Sequence, residues 1–152
     1  MNHIVISDRT EDAYFVANNL TAFNYACTKV GSPTMKPLSD DPKRKAIMVR
    51  AESGETLGGL VYLQRSPEEL YVSWFWLSEA LRGQGFGMKI METLKKEAVR
   101  LNCGKITLYT TTHQAPGFYE KAGFRLVRQE PTPAYPAFTD YYFEWIPEEK
   151  NK

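Results

Sequence analysis

The spacing of apolar positions changes several times along the chain, and each change predicts an element. His3–Ser7 is a short β-type run. Asp8 then offers a side-chain acceptor for a helix start, with Glu11 three residues on, an arrangement similar to a capping box. Val16, Leu20, Phe23, Cys27 and Val30 follow helical spacing, so a helix with one buried stripe is expected, ended by Gly31-Ser32-Pro33. Residues 34–44 hold Pro37 and Pro42 and read as a loop with room for one helical turn. Loops of this length often border a binding site.

Three β-rich runs follow, at 46–51, 56–64 and 70–77, with turns at Glu52-Ser53-Gly54-Glu55 and Arg65-Ser66-Pro67-Glu68-Glu69. In the third, Val72, Trp74 and Trp76 alternate with Tyr71, Ser73, Phe75 and Leu77, nearly all bulky. A strand with two apolar faces belongs in the middle of a sheet, covered on both sides. After a glycine-spaced turn, Phe86, Ile90, Leu94, Ala98 and Leu101 form the buried stripe of a second helix. Lys89, Glu92, Lys96 and Arg100 face water, Glu92 and Lys96 in the favourable i, i+4 order, and Gly104 is the expected left-handed stop. A strand at 105–111, a short helix at 115–122 ended by Gly123 and a strand at 124–128 come next. A proline-rich loop (Pro131, Pro133, Pro136), a last strand at 141–146 and a frayed tail at 148–152 complete the chain. The order predicts a mixed α/β fold around one sheet rather than a repeated βαβ winding.

Composition narrows this picture. The 152 residues suit one domain, 1–152, and a formal charge of +1 gives no electrostatic case for nucleic acid or an anionic membrane. Cys27 and Cys103 suit no metal spacing and read as reduced, buried thiols, so no metal is expected. The N-terminus lacks the basic start and long apolar run of a signal peptide, and no stretch approaches the roughly 20 apolar residues of a membrane span. A cytoplasmic location is the expectation.

The chemistry concentrates in the turn Arg82-Gly83-Gln84-Gly85-Phe86-Gly87. A strand ending in a glycine loop that opens a helix is built to hold an anion, because the first helical N–H groups have no acceptor and the helix dipole is positive there. Gly83, Gly85 and Gly87 let the backbone approach a ligand without a Cβ in the way. A dinucleotide fingerprint needs a βαβ unit, which is missing, and no Gly-Lys-Ser/Thr follows for a Walker A loop.

This loop resembles the acyl-CoA pyrophosphate loop of the GNAT acetyltransferase superfamily, Gln/Arg-x-x-Gly-x-Gly/Ala. Gln114-Ala115-Pro116-Gly117-Phe118-Tyr119-Glu120-Lys121-Ala122-Gly123-Phe124 resembles the second CoA-side motif of the same family. The resemblance implies a mostly antiparallel sheet of about six or seven strands, splayed after the strand before the loop, and acetyl-CoA as acyl donor. It implies that the backbone at Phe75, Trp76 and Leu77 meets the pantetheine arm. The N–H groups from Arg82 through Gly83, Gln84, Gly85, Phe86 and Gly87 to Met88 would then receive the pyrophosphate. Lys89 and Lys121 are either nucleotide-phosphate contacts or solvated helix-surface lysines.

Amine attack on a thioester needs a neutral amine and a proton for the leaving thiolate. A lysine-like amine with a pKa near ~10.4 is almost wholly protonated at neutral pH, so a base, direct or through water, has to act. Tyr119, in the place of the family's tyrosine, is the expected acid, or else it orients the CoA sulfur. The base has three candidates: His113, Glu79 or water. Relatives often carry a glutamate at the position of Tyr71, and an asparagine at that of Thr112; neither residue is present here.

The acceptor region implied by the fold covers Phe23, Asn24, Tyr25, Met35, Tyr62, Trp74 and residues 135–142. In a chain that is 13% aromatic, these suit a small hydrophobic or cationic amine, or else core and homodimer packing. The expected partner is a small-molecule or peptide amine. The alternative is a CoA-binding sensor or interaction module without turnover.

Overall fold

The strands and helices run β1 (His3–Ser7), α1 (Thr10–Thr28), β2 (Arg44–Arg50), β3 (Thr56–Ser66), β4 (Glu69–Leu77), α2 (Phe86–Arg100), β5 (Lys105–Thr111), α3 (Gly117–Lys121), β6 (Arg125–Thr132) and β7 (Tyr135–Trp145). Single 3-10 turns lie at Glu79–Leu81 and Thr112–Gln114. This is a computed structural model describing residues 1–133 and 135–147, so the tail expected to fray at 148–152 falls outside it. The seven strands form one sheet in the order β1-β2-β3-β4-β5-β7-β6. Every neighbouring pair is antiparallel except β4 and β5. The mixed α/β expectation holds.

Two apolar clusters sandwich the sheet. On one face α2 contributes Phe86, Ile90, Met91, Leu94 and Ala98 against Ile47, Leu60, Leu70, Val72, Ile106 and Phe143. On the other, α1 sets Ala13 and Val16 against Ala46, Met48 and Val61. The central strand β4 is covered on both sides, as its two apolar faces predict, but not in the expected alternation. Val61 pairs with Trp74 and Tyr62 with Val72, so Ser73 is an extra residue, a β-bulge. The bulge puts Val72 in the α2 cluster and turns Trp74 and Trp76 toward α1, leaving Phe75 and Leu77 on the α2 side. Because the pleat has period two, one inserted residue exchanges the faces of everything after it.

The parallel β4–β5 ladder covers only Glu69–Lys105, Leu70–Ile106 and Tyr71–Thr107. Beyond Tyr71 the two strands part, and β5 continues with β7 as far as Thr111–Asp140. The splay therefore begins next to the bulge.

Several local expectations are corrected. Arg9, not Asp8, precedes the first turn of α1, and no side chain caps it. Ser7 Oγ and Arg50 instead hold Asp12 in that turn. The stripe of α1 is Ala13, Val16 and Ala17, with Phe23 and Cys27 exposed, so only Cys103 of the two thiols is buried. The helix stops at Thr28, with Lys29 left-handed (φ 59°), ahead of Gly31. Residues 34–43 form no helical turn. On α2, Glu92 pairs with Lys95 at 3.3 Å rather than with Lys96. Asn102 (φ 56°) is its left-handed stop, while Gly104 makes room for Glu68, whose Oε2 would lie 2.6 Å from an added Cβ. The proline-rich loop is instead most of a hairpin: β6 extends to Thr132, Pro131 pairs with Thr139, and β7 already begins at Tyr135. Proline is tolerated there because β6 is an edge strand.

The Asp12–Arg50 pair ties α1 to β2 at 2.7 Å, with side-chain exposures of 7% and 18%. Burial works against the charged carboxylate. Hydrogen bonds from Arg50 and Ser7 outweigh it and hold Asp12 below the ordinary carboxylate pKa. The pair therefore contributes stability above the unfolded value of ~3.9 and loses it as pH falls through the folded value. Asp12→Ala should cost about 3 kcal/mol in urea unfolding at neutral pH, since it strands a largely buried guanidinium, and the gap to wild type should narrow below about pH 4.

Candidate active site

Glu79–Leu81 makes one tight turn after β4, and Arg82 N–H donates to Glu79 O at 3.0 Å. Gly83 and Gly85 then take φ of 74° and 75°, where a side chain would be strained, and an added Cβ would meet nothing within 4 Å. Both therefore face open space. The first bond of the α2 ladder is Lys89 N–H to Gly85 O at 3.1 Å, so the N–H groups of Phe86, Gly87 and Met88 precede it and have no helical acceptor. Gln84 Nε2 donates to Ala80 O at 2.7 Å and braces the loop from its own side.

Two expected loop contacts change here. The amide of Arg82 is spent inside the turn, and its guanidinium lies 3.7 Å from Glu79, both well exposed. The missing Cβ of Gly87 serves packing, since a Cβ there would lie 3.0 Å from Phe118 Cε1. That contact seats α3 against α2, and Phe118 in turn meets Phe75, ring centroids 5.8 Å apart. Lys89 is exposed, its Nζ 4.6 Å from the Phe86 ring centroid, and Lys121 is exposed on α3.

A cavity of about 600 Å³ runs from this loop into the splay. Phe75, Trp76, Leu77, Glu79, Arg82 and Gly87 line its loop side, Phe118 and Tyr119 its floor, and Asn19, Leu20, Phe23, His113 and Gln114 its far wall. Its size falls in the usual range of small-molecule sites. Among the described residues, the edge of β4 that faces β5 has no strand partner past Tyr71. Backbone groups there are left for a ligand that runs extended along the strand.

Tyr119 is 7% exposed, wedged among Phe118, Phe124 and Phe143. Burial alone pushes its phenol well above the ordinary tyrosine value, so it keeps its proton. Ala115, just before α3, adopts a left-handed φ of 52°, uncommon for a residue with a Cβ, and turns the chain so that α3 faces the cavity.

His113 lies at the end of β5, its ring centroid 6.2 Å from Phe23 and 5.9 Å from Phe138. Burial lowers its pKa below the ordinary histidine value, so it is neutral at pH 7. Nε2 is 2.9 Å from Asn24 Oδ1, which also accepts from Gln114 Nε2 at 2.7 Å, and Thr110 Oγ1 donates to Gln114 Oε1 at 3.0 Å. Glu79 lines the cavity but is 86% exposed. Tyr71 is elsewhere, outside the cavity lining, beneath the Arg65 guanidinium at 4.1 Å. Thr112 Oγ1 accepts from Thr139 N–H at 3.0 Å and ties its turn to β7.

The expected acceptor residues divide. Phe23 lines the cavity, and Asn24 and Phe138 hold His113. Tyr62 is core, its hydroxyl 3.5 Å from Glu97 under α2, and Trp74 packs in the α1 cluster. Met35 anchors its loop through Tyr14 and Asn18, while Tyr25 lies beside Lys29. Tyr135, Asp140 and Tyr142 line a second cleft of about 890 Å³. Asn19 and Thr111 escaped the sequence reading. Asn19 could have been found one helical turn before Phe23; Thr111 carries no such signal.

Comparison with known proteins supplies the family. The profile described as "Acetyltransferase (GNAT) family" matches residues 12–124. Blasticidin-S acetyltransferase of Streptomyces morookaense is 31% identical over 109 residues, covering 66% of this chain and 79% of its own. The ribosomal-protein-S18-alanine N-acetyltransferase of Escherichia coli superposes with a TM-score of 0.69 at 14% identity, over 96% of this chain and 94% of its own. A Bacillus anthracis protein assigned as a streptothricin acetyltransferase, in complex with acetyl coenzyme A, gives 0.62 at 19% identity over 70% and 64%. This chain is a member of the GNAT acetyltransferase family.

Proposed function

We propose that the protein transfers an acetyl group from acetyl-CoA to a primary amine of a small molecule, by direct attack in a ternary complex. The observation that carries this reading is a single cavity joining three features: the glycine loop, the unpaired β4 edge and the protonated Tyr119. The loop amides from Gly83 to Met88 take the pyrophosphate, and the β4 backbone at Phe75, Trp76 and Leu77 takes the pantetheine arm. The acetyl group then lies between Tyr119 and the wall formed by Phe23 and His113.

Attack by the amine nitrogen forms the C–N bond, and the C–S bond breaks as the tetrahedral intermediate collapses. The Tyr119 hydroxyl donates to the departing sulfur. A phenol above ~10 is a weaker acid than a thiol near ~8.5, but the thiolate forms in the same desolvated cavity, which raises its own proton affinity. Among the described residues the hydroxyl has no hydrogen-bond partner, so nothing competes with the sulfur for its proton.

A small molecule is favoured over a peptide because the curated relative that matches through the glycine loop acts on blasticidin S. The aromatic wall of Phe23 and His113 suits a ligand with a planar or apolar body. No feature of the cavity favours a sensor without turnover, and the phenol at the thioester position argues against one.

Two measurements check this. Thiol release from acetyl-CoA, followed across an amine panel that includes blasticidin S, should detect turnover with a small amine, and silence across the panel would sink the acceptor assignment. In single-turnover assays Tyr119→Phe should slow acyl transfer by about 10²-fold, the usual scale of one acid–base group, with acetyl-CoA affinity little changed. An unchanged chemical step would remove the acid role. Gly85→Val should do the reverse. A β-branched residue at φ 75° costs about 1–2 kcal/mol of strain and puts methyls where the pyrophosphate sits, so acetyl-CoA binding should weaken by at least about tenfold while the protein stays folded.

A further inference from the structure

His113 reaches across the cavity mouth from the end of β5 to α1, and its partners there define a tautomer. Thr110 Oγ1 donates to Gln114 Oε1, Gln114 Nε2 donates to Asn24 Oδ1, and the same Asn24 oxygen lies 2.9 Å from His113 Nε2. An oxygen can only accept, so Nε2 carries the imidazole proton and Nδ1 keeps the lone pair. Thr111 Oγ1 lies 3.1 Å from Nδ1 and 3.3 Å from Nε2. Near-equal distances to both nitrogens place the hydroxyl over the ring face, off the line of the Nδ1 lone pair and of the Nε2–H bond. Nδ1 therefore has no in-plane partner among the described residues, in a side chain that lines the acetyl-transfer cavity.

We propose that Asn24 is a positioning residue that fixes His113 as the Nε2–H tautomer, so that Nδ1 serves as the base for the acceptor amine. In the step, the amine nitrogen loses one proton to Nδ1 as its C–N bond forms, and His113 becomes an imidazolium. Tyr119 gives a separate proton to the sulfur. Imidazolium and phenolate are both neutralised through solvent after the products leave. This inference rests on the acetyl-transfer reading above.

The electrostatic surroundings suit such a base. From α1 the ring meets Phe23 and Asn24, and from β7 Phe138, all uncharged. Glu79, Arg82 and Tyr119 share the cavity, the first two beside one another at 3.7 Å. Asp140 on β7 stands opposite Thr111 in register and accepts from Thr132 at 2.7 Å. Burial is the one cause of the lowered imidazole pKa, with no charged neighbour contributing. A group neutral at pH 7 that gains a proton during turnover is what the base has to be.

The test uses the whole chain and two readouts. Nitrogen-resolved NMR of the imidazoles is tractable because the chain has two histidines, His3 and His113. It should find the Nε2–H tautomer at His113 in the wild type, whereas an Nδ1–H tautomer overturns the proposal whatever the activity. Asn24→Asp sets a carboxylate on Nε2–H and should raise the His113 pKa. The acid limb of kcat/KM should then move to higher pH by about one unit or more. Asn24→Leu should lower kcat and leave the KM for acetyl-CoA unmoved, and His113→Gln should lower kcat by about 10²-fold and abolish the limb. An acid limb that stays put in Asn24→Asp, with acetyl-CoA still stabilising the variant against heat, overturns the proposal. If wild type acetylates no amine, it is the acceptor reading that falls, and the tautomer and pKa measurements still decide the role of Asn24.

Discussion

The structure turns on three residues of parallel pairing and then none. β4 and β5 are held together at Glu69, Leu70 and Tyr71, and past that point a sheet that is otherwise continuous opens down its centre. Backbone polar groups left without partners are costly wherever water is excluded, so a strand edge of this kind persists only if something else uses it. An extended ligand that carries amides and carbonyls could pair with such an edge. The bulge at Ser73 is the local means, because bulges raise strand twist and end pairing. It also aims Phe75 and Leu77 at the α2 face, where the glycine loop arrives.

The two faces of the sheet are unequal. The α2 face has a large cluster that includes Tyr119 itself, so the phenol is positioned by the hydrophobic core. The loop is fixed from the same side, with Phe118 pressed on Gly87 and Phe75. Acetyl transfer tolerates little error in the placement of the thioester, and a rigid donor side is the economical way to supply it.

Much of the glycine loop and of the helix it opens was legible in the sequence. Three glycines opening an amphipathic helix leave a pattern that tertiary context seldom overrides, and the stripe from Phe86 to Ala98 is where it was expected. What stayed hidden has physical reasons. The bulge was hidden because, Ser73 apart, Tyr71 to Leu77 are bulky on both faces, so a change of phase alters little of the polarity pattern. The β6–β7 hairpin was obscured by prolines that an edge strand tolerates. Asp12 was missed as an anchor because its partner Arg50 lies 38 positions away, and a local cap was the simpler reading of Asp8 and Glu11. Gly87 matched the loop pattern yet answers to Phe118, which spacing could not reveal.

The α1 wall of the cavity is built on a different principle. The C-terminal half of α1 has little apolar purchase: Phe23 and Cys27 are exposed, and the buried positions of the helix end at Ala17. Polar links hold it instead, Asn24 to His113 and Gln114 at one point and Asn18 to the Met35 backbone at another. Hydrogen bonds are directional and individually worth only ~1 kcal/mol net, so they can fix an orientation without committing a wall to one shape. A wall held this way can be resurfaced by substitutions along α1 that leave the donor core untouched. Such a wall is hard to read from the sequence, because few of its residues are constrained by packing.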